Sequence, residues 1–359
     1  GGSGYTSTPS VIFDGQSNNY STSHGIIKQS SGTVNITGNT IGSITTSAGS
    51  STYSHGFESI YVRGVGGVLT ISNNLVGSLT TANSIHVRSS ASSSLMKQDV
   101  YGIYSAGIGN TEISNNTVAN LTNAYAGTNS GSRTRGISTI AGSNAIMNNT
   151  VRNLTSVSGQ SSTKSAATVT GISQTSNTVG STQNVTGNTI FDLTNAHATA
   201  RVDVYGIYYS GPVAGVHSVS GNFIHSLSAS SSNLGCDLEG ILIYNGLTTV
   251  ANNIINLGTN ESSGYFMEGI WDEGGATTNS NIYFNTVYIG GSIPPGTTSS
   301  TAAIKNASNY STRNYRNNIF VNARSGGTGG KHFSIILGGM ANGTIGYTHY
   351  PVTGTGGRL

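Results

Sequence analysis

Charge is scarce in this chain. Only 8% of its 359 residues are Asp, Glu, Lys or Arg, and the formal balance is +3. The cations are scattered, without basic runs or interleaved aromatics, which argues against nucleic acid as a partner. Cys236 is the single cysteine, so no intrachain disulfide staples the fold. No apolar run reaches the ~18 residues of a membrane-spanning helix. Stretches of good helix formers at a period near 3.6 are missing too, and with them the helical repeat architectures. Gly, Ser, Thr and Asn fill the space instead, a composition compatible with disorder. Disorder, however, has no reason to hold residues in phase, and this chain does.

The unit is Thr111-Glu112-Ile113-Ser114-Asn115-Asn116-Thr117-Val118, varied nine times. Aligned on its second asparagine it returns at Asn39, Asn74, Asn116, Asn149, Asn188, Asn222, Asn253, Asn285 and Asn318, at intervals of 31 to 42 residues. Three residues before each stands Ile, Val or Tyr, as in Ile36, Ile113 and Tyr315, and two after it stands Ile, Val or Phe, as in Ile41, Val118 and Phe320. Six copies add an apolar residue five after: Ile44, Leu79, Leu121, Leu154, Leu193 and Leu227. A period in the thirties signals a solenoid, whose units bury their apolar faces only against neighbours. Short β-branched runs broken by Asn and Gly are strands joined by a bend that tolerates the left-handed conformation. Stacked ~4.8 Å apart, such turns place the asparagines in a column whose amides bond along it. The expected fold is all-β, a right-handed parallel β-helix of nine to ten coils, roughly 40 Å long, with an Asn ladder.

A second column keeps nearly the same period: Gly25-Ile26, Gly56-Phe57, Gly102-Ile103, Gly136-Ile137, Gly171-Ile172, Gly206-Ile207, Gly240-Ile241 and Gly269-Ile270, continued by Ala303-Ile304. Alternating runs ahead of it, such as 198–204 and 164–170, are expected to supply a third strand per turn. The Ser-rich stretches 89–94 and 228–232 read as exposed loop tips. Residues 1–10 read as an extended lead-in, 11–339 as the β-helix and 340–359 as an extended tail. Val11-Ile12-Phe13 and Phe333–Leu337 are the segments available to cap the ends. Gly1 rather than Met stands first, as in a processed chain or a fragment.

The Asn-Asn-Thr-Val turns, joined to segments such as Val100-Tyr101-Gly102-Ile103-Tyr104 and Val204-Tyr205-Gly206-Ile207-Tyr208, resemble the β-helix repeat regions of large bacterial surface and secreted proteins of the pectin-lyase-like superfamily. The resemblance covers most of the chain and specifies a fold better than an activity. The same superfamily holds lyases, hydrolases, phage tailspikes, adhesins and structural modules.

Five of the twelve carboxylates, Asp237, Glu239, Glu268, Asp272 and Glu273, fall on adjacent coils. Glu239 and Glu268 each precede the repeated Gly and so stack one coil apart, an arrangement that repels unless a cation bridges it or one member is protonated. The resemblance implies a use for it. Polysaccharide-cleaving β-helices employ such pairs as acid and base or with Ca2+, which nominates Glu239, Glu268 and Asp272, with Trp271 as a sugar platform. Against this, no carboxylate motif of the pectin-degrading families is present and no Lys or Arg partner lies near in sequence, so a solvated edge is the simpler reading. Tyr104, Tyr208 and Trp271 share one position after the Gly-Ile pair and could form an outward strip for sugar rings, although tyrosine also suits strands for propensity alone. His24 and His55 are expected to share a column, but two histidines do not make a metal site. No Gly-x-Ser-x-Gly elbow is present, and no cofactor is expected. Sequons such as Asn120-Leu121-Thr122 follow from composition alone. The expectation is thus an extracellular structural or adhesive protein without catalysis. It would associate with itself through terminal coils and tail, with a glycan as a further partner. A polysaccharide lyase or hydrolase is the alternative.

Overall fold

The computed structural model describes residues 20–29, 31–47, 54–64, 66–89, 97–128, 132–159, 167–259, 261, 263–274, 279–307, 312–338, 343–354 and 357–358. Val11–Phe13, most of the Ser-rich stretch 89–94 and the start of 164–170 lie outside them. The described chain is a parallel β-solenoid. Three long sheets of 11, 10 and 11 strands form its walls, and successive coils pair in parallel register. The second sheet contributes one strand to each of its ten turns.

The expected columns superpose. Ile36, Ile71, Ile113, Ile146, Val185, Val219, Val250, Ile282 and Tyr315 are opposite one another in the second sheet and are buried. In the third sheet the column from Ile41 through Val118 to Phe320 is buried likewise. Facing them from the first sheet come Ile60, Ile103, Ile137, Ile172, Ile207, Ile241, Ile270 and Ile304, all fully buried. Each such side chain withdrawn from water contributes about 1.5–3 kcal/mol.

Between the second and third sheets the asparagines form an unbroken ladder. The Nδ2 of each donates to the Oδ1 of the next at 2.9–3.0 Å, from Asn39 to Asn318. The same Oδ1 also accepts from the backbone N–H of the preceding ladder residue, at 2.9–3.1 Å. From Asn74 onward the second Nδ2 proton goes back to the carbonyl of the apolar residue one coil earlier, at 2.8–2.9 Å, as from Asn116 to Ile71. Each interior amide therefore uses both donors and both acceptor positions, spanning three coils. The left-handed residue is the one before the ladder: Gly38, Asn73, Asn115, Asn148, Gly187, Gly221, Asn252, Phe284 and Asn317 have φ of 55–69°, and Tyr347 has 52°. Thr348 occupies the ladder position of the last turn, opposite Asn318, and ends the series.

A second left-handed bend sits four residues past the ladder, at Ser43, Asn120, Asn153, Asp192 and Ser226, while in the second coil Gly77, three past the ladder, and Asn83 have positive φ instead. Such a bend lets inward residues three apart, Val118 and Leu121, both face the core. In the last copies that bend is missing, which is why Leu257 and Ile289 arrive at the core one residue earlier, with Asn322 in register after them.

Three register expectations are corrected. Leu79 is 53% exposed, and the core position is taken by Ile85, which pairs with Ile44 and Leu121. The intervening residues loop out, which accounts for the longest repeat interval. In the first sheet Ile26 and Ile103 pair with Ile60, so the second coil's member is Ser59-Ile60 and not Gly56-Phe57. Consequently His24 lies opposite Glu58, while His55 falls three residues earlier, opposite Ser21. The alternating runs ahead of the Gly column lead into the first-sheet strand itself, as in Asp203–Ser210, and the three strands per turn come one from each sheet. Glycine is used in its column for space. A Cβ on Gly136 would stand 2.3 Å from Val151 Cγ1 and 2.7 Å from the Gly171 carbonyl oxygen. Toward the C-terminus, Gly343–Gly346 pairs with Arg313–Arg316, His349 and Val352 bridge to Ile319 and Asn322, and Gly357–Arg358 pairs with His332–Phe333. Part of the segment expected as a tail therefore lies in register on the coil beneath it.

Replacing Asn149 by Ala strands the Asn116 amide and N–H and the Ile113 carbonyl in the preceding coil, takes a donor from Asn188 Oδ1 in the next, and should cost about 3 kcal/mol or more. Asn148→Gly, at the exposed bend one residue away, should cost less than about 1 kcal/mol. Urea unfolding of both variants checks the pair, and equal losses would refute the division between ladder and bend.

Candidate functional site

A large share of the chain's few charges lies on the outer face of the first sheet. The Gly column interrupts the alternation of the strand, so Val100 and Ile103, three apart, both face the core, while the residue before each Gly and the one two after it lie on the outer face. The position before that column reads His24, Glu58, Tyr101, Arg135, Thr170, Tyr205, Glu239, Glu268 in successive coils. The position two after the column reads Tyr61, Tyr104, Ser138, Ser173, Tyr208, Leu242, Trp271, Lys305.

Glu239 and Glu268 are in register, as their spacing implied, and are 0% and 2% exposed. They do not form a solvated edge. The Nζ of Lys305, one coil further on, lies 2.9 Å from Glu268 Oε1 and 3.8 Å from the Trp271 ring centroid. Arg201 spans Asp237 at 2.7 Å and Asp203 at 3.3 Å. Cationic partners, missing from the nearby sequence, are thus brought in from neighbouring coils. Asp272 goes elsewhere. It faces inward at the corner of the first and second sheets, fully buried, with Arg313 Nη2 at 3.1 Å and the Gly274 N–H at 3.3 Å. Burial pushes the Asp272 carboxyl up and the Arg313 guanidinium pulls it back. The structure therefore joins Glu239 with Glu268 and separates both from Asp272. Burial, followed by the charge on Glu239, drives the Tyr205 phenol well above its usual range.

Tyr104, Tyr208 and Trp271 do share a column. Tyr208 and Trp271, however, pack against Tyr205, Leu242 and Ala167 and are only 4% and 8% exposed. Tyr104 is half-buried and stacked between Tyr61 and Tyr101, with centroids 5.5 and 4.9 Å away. Face-on stacking of a sugar on Trp271 requires the Lys305 ammonium to move first.

Sequence reading missed a second charged group at the N-terminal end of this face. Glu58 Oε2 lies 3.1 Å from His24 Nδ1, and the His24 ring stacks on Tyr61 at 4.9 Å. In the next coil Asp99, 8% exposed, accepts from the Arg133 N–H at 3.2 Å and lies 3.9 Å from Lys97. The Arg135 guanidinium sits 5.8 Å from the Tyr101 ring centroid. Glu58 stands one residue before Ser59 as Glu239 stands before Gly240, so the signal was present and was hidden by the Ser in a column read as Gly. Burial first, then the Asp99 charge, raise the Glu58 carboxyl to about 7, with Lys97 opposing. Burial lowers the His24 imidazole.

Among the described residues no group of three or more His, Cys, Asp or Glu is placed to hold a metal ion. No helix there is long and apolar enough to cross a membrane. Comparison with protein-family models, curated proteins and solved structures finds no match for the chain.

A carboxyl whose pKa is raised by folding stabilises the fold fully below its unfolded value, here 4.5, and that contribution is lost as pH rises through about 7. His24, with its pKa lowered, acts oppositely and loses its contribution as pH falls below 6.5. Glu58→Gln should therefore gain melting temperature relative to the native chain as pH rises from 5 toward 8. Thermal unfolding across that range checks it, and parallel pH profiles would remove Glu58 from the balance.

Proposed function

We propose that the chain is a non-catalytic, extracellular scaffold, a structural or adhesive solenoid that acts through its shape and surface. The right-handed sense of winding and kinship with the pectin-lyase-like superfamily are parts of this proposal. The observation that carries it is how the polar groups are used. The nine repeated amides are consumed in a ladder, and the carboxylates nominated for chemistry are divided between the outer face and the interior, Glu268 and Asp272 each held by a cation. Catalysis by a carboxylate pair needs two groups of different protonation converging on one substrate atom; Asp272 lies across the wall from Glu239 and Glu268, and Glu268 is already engaged by Lys305. The scarcity of Lys and Glu and the hydroxyl-rich composition agree with the cell exterior. Self-association through the edge strands of the terminal coils and tail is part of the same reading, by strand addition.

A polysaccharide lyase or hydrolase remains the second reading because Glu239 and Glu268 are in register beside Trp271. A third outcome is glycan binding without turnover at Tyr104, Tyr208 and Trp271. Incubation with acidic and neutral polysaccharides, with and without Ca2+, should leave them intact, and negative-stain microscopy of the native chain should show end-to-end or side-by-side assemblies. Cleavage that disappears in Glu268→Gln would overturn the scaffold reading. Retention on an uncleaved polysaccharide that depends on Trp271 would make the surface a glycan adhesin.

A further inference from the structure

The ridge between the second and third sheets breaks its own rule in the C-terminal coils. Its left-handed position holds Asn or Gly from Gly38 to Asn252 and again at Asn317, yet Phe284 and Tyr347 adopt φ of 56° and 52° there. A bulky side chain in this conformation is strained. Neither residue is held by core packing, since they are 55% and 93% exposed. The strain therefore places two aromatic knobs in solvent. Beside them on the outer face of the third sheet stand Ile254, Tyr288 and Ile319, exposed by 53, 39 and 45%. In earlier coils Thr117, Thr150 and Thr189 hold the column that Ile254 and Ile319 continue. Grouped exposed apolar side chains of this size mark an interaction surface.

We infer that this ridge docks the protein onto an anionic lipid surface. Shape argues for a soft partner, because both knobs stand out into solvent at the bend between two sheets. Charge argues for an anionic one. Segments 246–259, 279–292, 312–323 and 343–354, which build the second and third sheets here, contain no Asp or Glu. Arg316, whose carbonyl accepts from the Phe284 N–H at 3.1 Å, is exposed at the ridge. Phe and Tyr beside a cation suit the headgroup boundary of a bilayer. A second copy of the chain is a poorer occupant, because a strip a few coils long falls short of the ~800 Å² per partner of a stable interface. The inference is independent of the scaffold reading and concerns a different face from the first-sheet carboxylates.

The test is flotation of the full chain with phosphatidylcholine vesicles, with and without phosphatidylserine, comparing the native protein with a Phe284→Asn/Tyr347→Asn double variant. Asn is the residue other coils use at this bend, so the variant should melt no lower than the native chain. The expected result is flotation with phosphatidylserine vesicles that the double variant reduces about tenfold or more. Absence of flotation, or flotation that the variant leaves unchanged, would overturn the inference. A dimer that the variant abolishes, without flotation, would overturn it in favour of a second copy.

Discussion

A primary amide buried in a protein wall must find partners for two protons and two lone-pair positions, and in this molecule neighbouring turns supply them all. That requirement is met by stacking like on like. It explains why Asn recurs and Asp does not, since a carboxylate would turn an acceptor toward the Ile113-type carbonyl that the Nδ2 now satisfies. It also explains what varies. The apolar residues three before and two after the ladder keep their places in all nine copies, because they fix the strands that hold the amide. The loops between turns are free to differ, and the repeat interval runs from 31 to 42 residues without disturbing a rung.

The ladder and its flanking Ile and Val were legible because periodicity averages over copies, so one irregular coil does not hide the pattern. The same averaging misled where a single coil departed from it. Ser59 stands where most coils have Gly, and the nearest Gly, three residues earlier, suggests a register that displaces Phe57 and Glu58 from their true columns. Leu79 had the right offset but follows Gly77, whose φ of 92° starts a loop. The orientation of Asp272 was available from alternation alone, since Ile270 points in and Trp271 out. Its partner was not available. Arg313 is 41 residues away, and Lys305 is 37 from Glu268, distances that only a winding path makes short.

The outer face of the first sheet shows how a chain poor in charge disposes of it. A large share of the charged groups lies on this one wall, where Arg201, Glu268 and Lys305 are set against opposite charges or an aromatic ring. Burying ions this way is costly, and the attraction between partners offsets the desolvation only when geometry and further hydrogen bonds are good. Coils bearing Arg201, Glu268 and Lys305 are therefore coupled to their neighbours through side chains outside the core as well as through the backbone within it.

The rungs also share an orientation. Every ladder amide directs its oxygen toward the preceding coil and a proton toward the following one, so the side-chain dipoles add from one end of the solenoid to the other and polarise one another. Unlike the helix, whose dipole comes from its peptide units, this molecule carries an electrical direction set by nine side chains, and its two ends are electrostatically unlike even though the chain is nearly uncharged.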